Sequence, residues 1–265
     1  MTATRPPAVA GLFYADDPAA LDQQIDALMN NVEPASGQDD EPPRALVVPH
    51  AGYPYSGPVA ARAYARIAPF RGQYERVLLL GPSHRVPFRG MALSSADAFT
   101  TPLGDVPLDK AESHALLDYA GVEEIDAAHS MEHSLEVQLP FLQRLLCDFQ
   151  LIPLSVGDVS VQQVAAVIER YWGDPATLVV ISTDLSHFFT LRQAEERDQR
   201  TRRAIEQRDY KAIGDEQACG RYPLRGLLKV LDDHDAGIET LAMGTSADTT
   251  GDASRVVGYG SWLVQ

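Results

Sequence analysis

Three apolar runs, each closed within a few residues by an imidazole, restrict what this chain can fold into. Leu46-Val47-Val48 stops at Pro49, and His50 follows in the turn Ala51-Gly52-Tyr53-Pro54. Proline has no N–H to give to a central ladder, so a buried strand has to end there. Val77-Leu78-Leu79-Leu80 runs into Gly81-Pro82-Ser83-His84, and Leu178-Val179-Val180-Ile181 into Ser182-Thr183-Asp184-Leu185-Ser186-His187. Short continuous apolar runs of this kind read as buried strands. In open α/β sheets ligands bind beyond the carboxyl ends of the strands. If the three strands are parallel neighbours, His50, His84, Asp184 and His187 meet at one rim. A single strand-ending histidine is ordinarily a loop residue bonded to backbone; three in one chain make a site.

Composition narrows the class. Hydrophobic residues make up 45% and charged residues 22% of the 265 residues, and a chain of that length buries a core without disulfides. The net charge of −15 opposes phosphate backbones and anionic membranes, so neither nucleic acid nor membrane is expected as a partner. Two cysteines, Cys147 and Cys219, are too few for a disulfide framework and suit a reducing compartment, the cytoplasm. The segment from Met1 to Tyr14 lacks the apolar core of a signal peptide, and no run reaches the roughly 18 apolar residues of a membrane span.

Asp17-Pro18 is a helix start, a capping carboxylate followed by proline in the first turn. Leu21, Ile25, Leu28 and Met29 then lie on one face. Residues 33–43 read as a polar surface linker within a single domain spanning 1–265. Val59, Ala60, Ala63, Tyr64 and Ile67 have helical spacing, so strand, helix and strand make a right-handed crossover between His50 and His84. A strand is expected at 91–95, loop from Phe99 to Pro107 and helix over 109–119. Leu135, Leu139, Leu142, Leu146 and Phe149 mark one buried helical face. Pro140 would clash there with the Glu136 carbonyl, so that helix kinks or starts late. A strand at 151–156 and a helix through Val161, Val164, Ile168 and Tyr171 follow. The chain then continues with a charged surface helix over 191–208, an amphipathic helix through Leu224, Leu227, Leu228 and Leu231, and strands at 239–243 and 256–264.

Neutral imidazole is the commonest metal ligand, and two histidines with one anionic donor leave positions open, as in non-haem iron oxygenases. His50 and His84 supply the imidazoles. The residues alone leave Asp184 and Cys219 open as the third donor. Cys219 precedes Gly220, Arg221 and Pro223 in a loop, where a metal or Arg221 would favour its thiolate. Cys147 sits in the apolar Leu145-Leu146-Cys147-Asp148-Phe149 and reads as inert core. His187, three residues after Asp184, is placed to act as an acid or base with Asp184 orienting it. His133 and Glu136 share a face if their stretch is helical; they either line the pocket or form a buried capping network. His129 is left open, and His114 and His234 read as surface. No G-x-S-x-G elbow, Walker A loop, G-x-G-x-x-G or paired C-x-x-C is present. Serine hydrolase, nucleotide-binding and structural zinc chemistry are therefore unsupported.

Six stretches, in this order, carry a resemblance. They are Ala10-Gly11-Leu12-Phe13-Tyr14, Pro49-His50-Ala51-Gly52-Tyr53, Gly81-Pro82-Ser83-His84, Glu132-His133-Ser134-Leu135-Glu136, Ser182-Thr183-Asp184-Leu185-Ser186-His187 and Cys219-Gly220-Arg221. The sequence resembles the Memo family, named for a mediator of ErbB2-driven cell motility, which has bacterial and archaeal members. The resemblance implies a single α/β domain, a central mixed sheet with helices on both faces, similar to class III extradiol ring-cleaving dioxygenases. It implies a metal site of His50, His84 and Cys219, with Asp184 and His187 beside it as the catalytic pair, and iron(II) or copper as the metal. The dioxygenases use a carboxylate as third iron ligand. A thiolate is softer and favours copper(I) or a different redox role over ring cleavage.

The expected function is metal-dependent redox or oxygenase-like chemistry on a small molecule, and a partner enzyme is compatible with it. A second function follows from the link of eukaryotic relatives to phosphotyrosine peptides. The same cleft would bind a peptide or small anion without catalysis, with Phe13 and Tyr55 as aromatic walls, His133 and Glu136 in the pocket, and Arg221 pairing with the anion. Tyr222 stands where the eukaryotic Cys-Gly-Arg motif is followed by a histidine, which changes the polarity of the pocket.

Overall fold

The computed structural model describes residues 3–32 and 41–265. The three histidine-ended runs are the strands Ala45–Val48, Arg76–Pro82 and Thr177–Ser182, and they lie side by side and parallel. The third in sequence is the middle one in space. Ile181 pairs with Val47 on one side and with Leu80 on the other. The crossover from His50 to His84 therefore steps over a strand instead of joining two neighbours. Gln150–Val156 extends the parallel centre beyond Arg76–Pro82. Antiparallel strands flank it. Val256–Val264 pairs with Ala45–Val48 and also with Glu239–Thr245, and Met91–Leu93 pairs with Gln150–Val156 and carries Val122–Glu124. His187–Phe189 joins the start of Val256–Val264. Among the described residues these make one mixed sheet of nine strands, in a single α/β domain with helices on both faces.

The unbroken apolar runs follow from burial of the parallel centre on both faces. Leu46, Val48, Val77, Leu79, Leu178 and Val180 enter one core, with side chains from the helices Pro18–Asn30, Tyr53–Ile67 and Leu139–Leu145. Ala45, Val47, Leu78, Leu80, Val179 and Ile181 enter the other, with the helices Val161–Trp172 and Arg221–Asp233. Burying a Val, Leu or Ile side chain contributes about 1.5–3 kcal/mol, so the middle of these strands is apolar on both faces. Polar side chains stand at the strand ends, as Thr177 and Ser182 do in the middle strand.

Prolines set several boundaries. Asp17 caps Pro18–Asn30, its carboxylate accepting the Ala20 N–H at 2.9 Å. Pro58 lies inside Tyr53–Ile67 and cannot donate to the Pro54 carbonyl; Thr249 Oγ1 donates there instead at 2.9 Å. Pro140 makes its helix start late. A short 3₁₀ turn, Glu136–Gln138, precedes Leu139–Leu145, so the proline sits in the first turn where its missing N–H costs nothing.

Some expectations fail for identifiable reasons. Residues 99–107 are not loop but most of a hairpin, Ala98–Thr101 with Gly104–Pro107, which also takes Thr4–Arg5 as a parallel neighbour. Cys147 is exposed beyond the end of its helix at Leu145, not core. Leu191–Glu206 is charged outward but buries Ala194, Asp198, Thr201, Ala204 and Ile205. The Met131–Leu135 stretch is not helical, so His133 and Glu136 share no helical face. Of the expected polar linker, residues 33–40 lie outside the described residues; Glu41–Pro43 lead into the first strand of the sheet. Among the described residues no helix is long and apolar enough to cross a membrane.

Candidate metal centre

The adjacency of two strand ends builds the first part of the site. The Thr183 N–H donates to the Val48 carbonyl at 2.8 Å, and Asp184 Oδ1 accepts the His50 N–H at 2.7 Å. Asp184 Oδ2 then lies 3.9 Å from His50 Nε2. His50 is 1% exposed, and its Nδ1 is 2.9 Å from Ser182 Oγ. That hydroxyl has a single proton, which it gives to the Ser134 carbonyl at 2.6 Å, and it already accepts from Gln138 Nε2 at 2.9 Å. It can meet His50 only as an acceptor, so the network places the proton on Nδ1 and leaves a lone pair on Nε2. Tyr64 donates to Gln138 Oε1 at 2.9 Å and fixes which way that amide points.

Glu132 does for His84 what Ser182 does for His50. Its Oε1 lies 2.9 Å from His84 Nδ1, and its Oε2 accepts the His84 N–H at 2.5 Å. A carboxylate only accepts, so the His84 proton is on Nδ1 and Nε2 is free. Glu132 Oε1 also takes the His133 and Ser134 N–H groups at 2.9 and 2.8 Å. Burial raises the pKa of Glu132, but the His84 ring and these amides outweigh it and hold the carboxyl down at about 2. At the third strand end, His187 Nδ1 faces the Leu185 carbonyl at 2.8 Å, which frees its Nε2 in the same way.

His50, His84 and His133 converge. One ring nitrogen from each lies within 4.8 Å of the other two. Ring centroids are 5.1 Å apart for His50 and His84, 5.5 Å for His50 and His133, and 4.7 Å for the stacked His84 and His133. Phe13 packs its ring 4.9 Å from that of His133. Cys219 Sγ is 3.3 Å from His50 Nε2 and accepts the Asp184 N–H at 3.3 Å. Burial, with His84, His133 and His187 as like-charged neighbours, pushes His50 well below the usual histidine range. Burial brings His133 down to about 4 and Asp184 up to about 6. Burial and then the Asp184 carboxylate push the Cys219 thiol up to about 12. At neutral pH the rings of His50 and His133 are therefore uncharged donors.

The remaining candidates are placed less centrally. Tyr55 is exposed, its ring against Gly52. Arg221 pairs with Asp215 at 2.6 Å and stacks over the Tyr222 ring at 4.3 Å, and the Tyr222 hydroxyl donates to Asp158 at 2.9 Å. Glu136 is turned away from the cleft. It is fully buried and accepts from Arg5 Nη1 at 2.6 Å, the Ala8 and Val9 N–H groups at 2.7 and 2.9 Å, and the Tyr14 hydroxyl at 2.6 Å. This is the capping network, not a pocket wall. His129 is structural too, buried with Nε2 2.9 Å from the Ala92 carbonyl. His114 and His234 are exposed. Sequence reasoning missed Glu132, Ser182 and Gln138. Glu132 and Ser182 stand first in two of the six stretches that carry the resemblance; Gln138 carries no local signal.

A family model described as Memo-like protein matches residues 5–263. The chain belongs to the Memo family. A MEMO1 family protein of Sulfolobus acidocaldarius is 35% identical, with 96% of this chain and 97% of the relative covered. One from Aquifex aeolicus is 35% identical over the same shares, and one from Methanococcoides burtonii is 36% identical over 98% and 100%. The crystal structure of an uncharacterized Escherichia coli K12 protein aligns with a TM-score of 0.47 and 14% identity, over 82% of this chain and 98% of that one. At that distance it says nothing about the site. The Memo match takes in every cleft residue from Phe13 to Cys219.

Proposed function

We propose that this Memo protein performs metal-dependent redox chemistry of the oxygenase type on a small molecule bound at the histidine cleft. One observation carries the reading: three imidazoles converge on one rim, and the protons of His50 and His84 are held on Nδ1 so that each Nε2 offers a lone pair. Outer groups that fix the tautomer are the usual companions of metal-binding histidines. His133 Nδ1 is buried and makes no hydrogen bond, with Glu132 Oε1 3.4 Å away.

The donors fit a transition metal, since imidazole suits iron and copper. His50 and His84 would hold it, with Cys219 or His133 as third donor, both of which lie against His50. The metal would supply one-electron chemistry with dioxygen or an oxidisable ligand. His187 moves a proton at Nε2, its ring held through Nδ1 on the Leu185 carbonyl. Asp184 braces the His50 backbone and, raised to about 6, exchanges a proton near neutral pH. Two free cysteines suit the cytoplasm.

Protein purified anaerobically under reducing conditions and submitted to elemental analysis should carry one iron or copper per chain. His50→Ala should lose it and His114→Ala should keep it. Protein without either metal after that preparation sinks the reading. The peptide- or anion-binding alternative is less well supported, because Arg221 is already engaged by Asp215 and Tyr222. Phosphotyrosine binding that disappears in Arg221→Ala would favour it.

A further inference from the structure

We propose that Phe188 is a specificity residue of the cleft: a strained backbone bend holds its ring at the mouth, where it takes the apolar body of a ligand whose polar head lies at the histidines. This rests on the reading that the cleft binds a metal and a small molecule. Among the described residues, the exposed large apolar side chains are Leu12, Tyr55, Leu117, Met131 and Phe188. All but Leu117 adjoin stretches that build the cleft. Leu12 precedes Phe13, whose ring packs on His133, and the Tyr55 ring lies against Gly52, close after His50. Met131 shortly precedes His133, and Phe188 follows His187. Exposed apolar residues scattered singly are ordinary; a set gathered around one polar cleft marks a binding surface.

The backbone sets Phe188 apart from the others. His187 pairs with Val257 and Phe189 with Val256, so Phe188 is the extra residue of a bulge. Its φ is 66°, in the left-handed region where such a bulge ordinarily carries glycine. Among the described residues, the other non-glycine residues with positive φ are Arg208 and Asp235. Each closes a helix end, where this backbone is common. A left-handed backbone lowers the population of an L-residue by about 5–30-fold. The Arg255 guanidinium lies over the Phe188 ring, 4.5 Å from its centroid. At an exposed site that stack offsets about 2–5-fold, only part of the strain. Phe188 nevertheless stays 61% exposed, whereas Phe189 is half-buried under Arg197 at 4.0 Å.

The bend re-aims the ring. Successive side chains of a strand point to opposite faces, yet the rings of His187 and Phe188 lie 5.7 Å apart, edge to face. The bulge thus brings an apolar surface beside the imidazole to which the proton transfer is assigned. His187 in turn stands near enough to His50 for its charge to lower the pKa of that ring. An apolar rim over a polar floor suits a ligand with an oxygen-bearing head and an apolar body. Local strain that the surroundings maintain is characteristic of ligand clamps.

Anaerobic calorimetry on the full-length protein, loaded with the iron or copper it retains, tests this with acetohydroxamate and octanohydroxamate. The two probes carry the same chelating head on a methyl and a heptyl chain. Each buried methylene contributes about fourfold, so the wild type should bind octanohydroxamate at least about 50-fold more tightly. Phe188→Ala should cut that ratio by about fivefold or more and leave acetohydroxamate within about twofold of wild type. A merely structural role would move both probes together. Phe188→Gly should lose the same discrimination, while its folding equilibrium constant from urea unfolding exceeds that of Phe188→Ala by about 3–10-fold, because glycine takes this backbone freely. Three results overturn the proposal and leave the metal reading standing: equal wild-type affinity for both probes, a ratio unchanged in Phe188→Ala, or Phe188→Gly no more stable than Phe188→Ala. A wild type that retains neither metal overturns both.

Discussion

Glu132 and Glu136 lie four residues apart, both are buried, and they serve opposite parts of the molecule. Glu132 accepts from the His84 ring and three amides and belongs to the cleft. Glu136 accepts from a guanidinium, a phenol and two amides, all from the N-terminal arm, and belongs to the scaffold. The chain between them is not helical, so their spacing does not place them on one face. What separates them is the set of donors each meets. One carboxylate orients a ligand, while the other anchors a segment more than a hundred residues away in sequence.

Breaking the scaffold half should have the largest effect. Glu136→Ala leaves Arg5, 6% exposed, without its ion partner at 2.6 Å. It should destabilise the fold by about 3–5 kcal/mol, read as a lowered urea midpoint. A loss under about 1 kcal/mol would make the pair dispensable.

His129 sits on the same side, its carbonyl accepting from Arg5 Nε at 2.8 Å and its pKa pushed down by burial to about 4. A folded-state value below the unfolded one means the unfolded chain binds the proton first. The stability tied to this ring is thus complete above about pH 6.5 and lost as pH falls toward 4, at roughly 1.4 kcal/mol per unit. His129→Gln keeps a donor for the Ala92 carbonyl and should flatten that slope in urea midpoints taken at successive pH values. An unchanged slope would assign the acid sensitivity elsewhere.

On the cleft side, Glu132→Gln should weaken metal binding by about 10–100-fold, measured by competition with a chelator. An affinity equal to wild type would mean that Glu132 does not support the site. The smallest change is Tyr14→Phe. It removes one of four groups donating to Glu136 and should cost about 1.5 kcal/mol while leaving metal affinity untouched. A shift in affinity would show that arm and cleft are coupled after all.

The parts of the fold legible in sequence are those written in local patterns. The three strand ends, the Asp17 cap and the late start forced by Pro140 depend on neighbouring residues, and the structure keeps them. Phe99 to Pro107 misled because loop-like Gly and Pro residues bracket a short hairpin whose alternation is only four residues deep. Cys147 misled because apolar neighbours suggested helix beyond Leu145, where the chain turns outward. The cleft was legible as a list of histidines at strand ends, and Glu132 and His133 as part of a motif. The links that fix ring protons, Ser182 to Ser134 and Gln138 to Ser182, join residues 48 and 44 positions apart and leave no trace in the sequence around them.

By itself the sequence determined which segments are buried strands, where pairing has to stop, and that imidazoles follow those stops, because hydrophobic burial and proline act on the chain locally. Only the tertiary structure decided that the third strand lies between the first two, that Glu136 turns toward Arg5, and that His133 joins the rings of His50 and His84. Those outcomes depend on strand order and on hydrogen bonds between distant segments, and neither is encoded in the spacing of residues along the chain.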